Sequence, residues 1–170
     1  ALQNDSGEWI IQAAWLGETN ITTTRTPGLG DQRSMRGVMG PNSLDVLELL
    51  RSPEFVGRPY RFTHLHAFES PFSVPDMKDV FGAKSLLAEF RAFGPTSGWV
   101  DSITLPTDTT SEWFRLQPQA RVQALTSVLD DVNLQPLFVR GSFHNWAEVL
   151  ALVRNQNPNA YDNLIYNRIR

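Results

Sequence analysis

The clearest alternation of apolar and polar positions in the chain lies at residues 60–68, YRFTHLHAF. In an extended strand, Tyr60, Phe62, His64, His66 and Phe68 fall on one side, with Arg61, Thr63, Leu65 and Ala67 on the other. Helix-like and strand-like patterns alternate after this stretch, which predicts that it runs through the middle of a sheet. Upstream, residues 8–16 (EWIIQAAWL) form a short apolar run that predicts a buried strand. Residues 17–42 carry glycines, threonines and arginines with no sustained apolar period. They predict a long loop, with residues 21–24 forming an extra strand at its start.

Ser43 is placed to cap a helix over 44–51, which Ser52 and Pro53 end. Asp76 is placed to cap a second helix over 77–93, where Met77, Val80, Phe81, Lys84, Leu87 and Phe90 fall near the helical period; Gly94 and Pro95 then stop it. Residues 99–105 predict a third strand. In 118–132, Val122, Leu125, Leu129 and Val132 step by three, four and three, the cleanest helix signal of the chain. Residues 136–143 predict a fourth main strand, with Pro136 tolerable only as its first residue. Asn145, with Glu148 at the third helical position, caps a helix over 146–154. A last helix over 160–169 would group Tyr161, Leu164, Ile165 and Ile169. This order predicts one layered α/β or α+β domain over 1–170, with about four main strands and helices packed on the sheet. A ferredoxin-like and a doubly wound arrangement are both open.

Composition narrows the function classes. A formal charge of −3 argues against general nucleic-acid binding, which calls for a basic surplus. Of the 15 basic residues only Lys78 and Lys84 are lysines, so the positive charge is carried by arginine, whose planar fork suits carboxylates and phosphates. The absence of cysteine excludes disulfides, thiolate catalysis and cysteine zinc sites. No apolar run is long enough for membrane insertion. The expectation is a soluble chain, and its start at Ala1 is compatible with export after removal of a leader.

Two places could hold chemistry. His64 and His66, two apart on one strand, project to the same side, a spacing that suits a divalent metal. Glu69, His144 on the fourth strand and Asp101 on the third are the candidates to complete the set. The plainer reading of the pair is hydrogen-bonded histidines in an aromatic core. The second place is the loop 25–42, where Arg25, Arg33 and Arg36 alternate with glycines ahead of a helix start and suit an anion. No nucleotide-cofactor fingerprint is complete there: Arg33 replaces the last glycine of G-x-G-x-x-G, and no G-K-[ST] occurs. No G-x-S-x-G nucleophile motif occurs either.

Trp99, Trp113, Phe114, Phe143 and Trp146 fall at predicted element edges, where aromatics and arginines favour a protein partner or a homo-oligomer. The sequence therefore favours a non-enzymatic protein-binding or assembly module: a subunit, an inhibitor or immunity-type partner, or a regulatory domain. The alternative is a small metal-dependent enzyme or metal-binding protein built on His64 and His66. Whether the chain is an enzyme at all is not fixed at this level.

Overall fold

The computed structural model describes residues 9–15, 21–26, 47–48, 50–51, 53, 56–66, 71–94, 98–131, 138–139, 142–143 and 146–169. Six strands form one mixed sheet in the order β2-β1-β3-β4-β5-β8: β1 Trp9–Trp15, β2 Ile21–Thr26, β3 Tyr60–Leu65, β4 Leu87–Phe93, β5 Val100–Thr104 and β8 Ile165–Ile169. All neighbours pair antiparallel except β3 and β4, which are parallel. The helix α1 (Val74–Phe81) makes the crossover between these two, as a parallel connection requires. One parallel pair within an otherwise antiparallel sheet makes the domain α+β, and its strand order is neither doubly wound nor ferredoxin-like. β3 lies in the middle of the sheet, as its alternation predicts.

The remaining elements follow β5: α2 (Glu112–Arg115), α3 (Pro118–Leu129), a separate hairpin of β6 (Phe138–Val139) and β7 (Ser142–Phe143), α4 (Trp146–Gln156) and α5 (Pro158–Tyr161). The helices over 118–132 and 146–154 are thus present with close boundaries. Residues 47, 48 and 50 of the predicted helix 44–51 are helical as well. Three expectations are corrected. Residues 77–93 are not one helix, because α1 ends at Phe81 and β4 begins at Leu87. The apolar spacing there satisfies both periods, and the buried Ala88, Phe90 and Ala92 follow the two-residue one. Residues 160–169 split into the end of α5 and the edge strand β8. The stretch 136–143 gives the small β6–β7 hairpin rather than a strand of the main sheet.

One face of the sheet carries the helices. Tyr60 and Phe62 from β3, Phe90 from β4 and Ile103 from β5 are buried against Met77, Val80 and Phe81 of α1, Leu125 and Leu129 of α3, and Trp146, Val149, Leu150 and Val153 of α4. These helical positions recur at three and four residues, the stripe a helix offers to a sheet. Trp113 and Trp146 belong to this core, at 2% and 0% exposure, so neither is a surface edge aromatic. Arg121 is buried among them, its guanidinium donating to the carbonyls of Phe81, Ala83, Trp113 and Leu116 while lying 4.4 Å above the Trp113 ring. It thereby ties the ends of α1 and α2 to α3. On the opposite face, Glu89 lies between Arg61 and Arg91, and Arg91 also donates to Thr63 Oγ1.

Candidate metal centre

β3 delivers the two histidines. Its register with β4 sets His64 opposite Ala92, and the His66 amide donates to the Phe93 carbonyl just past the end of the strand. Successive side chains alternate, so both imidazoles follow Tyr60 and Phe62 onto the helix-covered face. His64 is 4% exposed and packs among Phe62, Phe72 and Phe90, with ring centroids 6.1, 6.5 and 4.9 Å away. Phe72 is locked in turn: its amide donates to Asp101 Oδ2 at 3.2 Å, and its carbonyl accepts from the Trp146 indole at 2.9 Å.

α1 delivers the third group. Ser73, not Asp76, is the N-cap of this helix, and Ser73-Val74-Pro75-Asp76 is a complete capping box. The Asp76 amide donates to Ser73 Oγ at 3.1 Å, and the Ser73 amide donates to Asp76 Oδ2 at 2.9 Å. The carboxylate so braced stands 3.1 Å from His66 Nε2 and, through Oδ1, 3.5 Å from His64 Nε2. The two Nε2 atoms are 2.9 Å apart. Burial alone would raise the Asp76 carboxyl, but the charges and hydrogen bonds of His64 and His66 outweigh it and hold the group well below the usual carboxylate range.

These separations match the edges of a coordination polyhedron. Two donors each about 2.1 Å from a shared ion lie about 3.0 Å apart at a right angle and about 3.4 Å apart in a tetrahedron. One ligand atom from each of His64, His66 and Asp76 lies within 4.8 Å of the others, so the group could hold a metal ion. Both rings aim Nε2 at a common point that they share with the Asp76 carboxylate. With side-chain exposures of 5, 14 and 17% for His64, His66 and Asp76, the point of convergence lies just under the surface.

Of the other predicted candidates, Glu69, His144, Arg33 and Arg36 lie outside the described residues. Arg25 is in β2, paired with Ile10, and so belongs to a strand rather than to the loop expected there. Asp101 is adjacent but not in the triad; it accepts from the Phe72 amide, from the Tyr166 hydroxyl at 2.9 Å, and from Arg168 at 3.5 Å. In the sequence Asp76 was legible only as a cap. The S-x-x-D box with proline in the first turn marks it more sharply, since it starts the helix at Val74 and turns the carboxylate back toward the strand. Among the described residues, no helix is long and apolar enough to cross a membrane. Compared with known protein families, with curated proteins and with solved structures, the chain matches none.

Proposed function

We propose that the protein is a small metal-dependent enzyme or metal-binding protein in which His64, His66 and Asp76 bind one divalent transition-metal ion. The observation that carries this reading is the convergence of two Nε2 atoms and one braced carboxylate at mutual distances of 2.9, 3.1 and 3.5 Å. Two imidazoles and a carboxylate suit zinc, iron or manganese, and three protein donors leave coordination positions for water or substrate. An ion in such a set supplies a Lewis acid and a bound water acidified to near neutrality. The aromatic packing of His64 fixes its ring, and the capping box fixes Asp76, so the donors are pre-positioned. Thermal denaturation of chelator-stripped protein with added zinc, manganese or ferrous ion tests the proposal. An ion at one hundred times its dissociation constant should add about 2.7 kcal/mol, and His64→Ala or His66→Ala should abolish the gain. No stabilisation by any of the three ions would refute it.

A protein-binding or assembly role is a second reading, supported by β8. This strand ends the sheet, and Ile165 and Ile169 on it are 52% and 58% exposed, the kind of edge that another strand can join.

A further inference from the structure

We infer that the ligand of this centre carries a carboxylate or phosphate group, and that Arg168 receives it. The inference rests on the metal site proposed above and extends it along one row of the sheet. His64 pairs with Ala92, Ala92 with Asp101, and Asp101 with Arg168, so these four positions form a continuous line across β3, β4, β5 and β8. Side chains in one row share a face, and three strand spacings put the Arg168 backbone about 14 Å from that of His64.

Arg168 is held in a way that suits an incoming anion. Its guanidinium stacks over the Trp99 ring at 4.9 Å, which fixes the plane of the fork while leaving the N–H edges free to donate. Its contact with Asp101 is a single one at 3.5 Å, the outer limit for a hydrogen bond. Asp101 is already served by the Phe72 amide and the Tyr166 hydroxyl, and burial keeps its carboxyl above the ordinary value despite the arginine. Among the described residues the guanidinium meets the Asp101 carboxylate and the Tyr166 hydroxyl, which leaves donors for a further partner, and a third of the side chain is open to solvent. The strand register places Asp101 between the histidines and Arg168. A ligand with one oxygen donor for the metal and an anionic group for the fork would span these two points.

Calorimetric titration of the zinc-loaded protein tests this with malonate, phosphonoacetate and uncharged malonamide. The two anions should bind more tightly than malonamide, and whichever of them is tighter identifies carboxylate or phosphate as the preferred group. Arg168→Met should weaken the tighter anion by about tenfold or more while leaving the zinc dissociation constant unchanged, and Arg168→Lys should recover part of the loss. Trp99→Leu, which frees the guanidinium without removing it, should give an intermediate loss. Equal anion affinity in Arg168→Met and the parent protein would overturn the inference while the metal site stands. Failure of the parent protein to take up zinc, manganese or ferrous ion would remove both.

Discussion

In the proposed centre Asp76 would use one carboxylate for two purposes, and substitution can separate them. As a capping-box residue it needs only an acceptor for the Ser73 amide; as a metal ligand it needs its charge. Asp76→Asn keeps an acceptor of nearly the same shape. It should lower stability, because the negative charge that His64 and His66 hold ionised is lost, and weaken metal binding by at least the ten- to hundredfold known for lesser changes around metal sites. An unaltered metal affinity in this variant would reduce Asp76 to a cap. Tyr60 offers a second test at this scale. It is fully buried with its hydroxyl 2.6 Å from Ser85 Oγ, and burial, offset in part by that hydrogen bond, pushes its phenol from 10.0 up to about 12. Because the folded value is the higher one, the contribution to stability is complete below pH 10 and disappears as pH rises to about 12, where the unfolded chain has already lost the proton. The loss amounts to about 2–3 kcal/mol. Urea midpoints should fall across that window and fall less in Tyr60→Phe; parallel curves would contradict the assignment.

Among the elements, α1 carries the site because its first turn faces the end of β3. Removing the other half of the capping box tests whether helix and site are separable. Ser73→Ala loses the acceptor for the Asp76 amide, yet the Ser73 amide that braces the carboxylate remains. Stability should drop by about 1 kcal/mol, with metal affinity within a few fold of the parent. A drop in affinity as large as that of Asp76→Asn would show that the cap, not the charge, holds the site together. Elements also show where sequence patterns mislead. The strand β4 reads LAEFRAF, and its Leu, Ala, Glu and Arg are good helix formers, so local propensity pointed the wrong way. Pairing with β3 and β5 decided it, a long-range cause that no local window contains. On the way into β8, the spacing of Tyr161, Leu164 and Ile165 imitates a helix. The β-favouring Ile165, Tyr166 and Ile169 after the break at Asn163 were the better guide.

Over the whole molecule, the candidate site lies where the two parallel strands β3 and β4 end and the crossover helix between them begins. The facing of His64 and His66 was legible in the sequence, because alternation alone decides which side of a strand a residue takes. The third ligand was not fixed, because Asp76 reaches the histidines through a chain reversal after β3 that carries no periodic signal. The order of the sheet was equally hidden, since it depends on β8 returning to the edge beside β5 after four helical elements and a hairpin have intervened. The central claim is that the two imidazoles and one carboxylate share an ion. X-ray absorption at the zinc edge of the loaded protein tests it most directly. The account predicts one zinc per chain with two imidazole nitrogens at about 2.0–2.1 Å and oxygen filling the remaining positions; a first shell made only of oxygen, without the outer scattering of histidine rings, would contradict it.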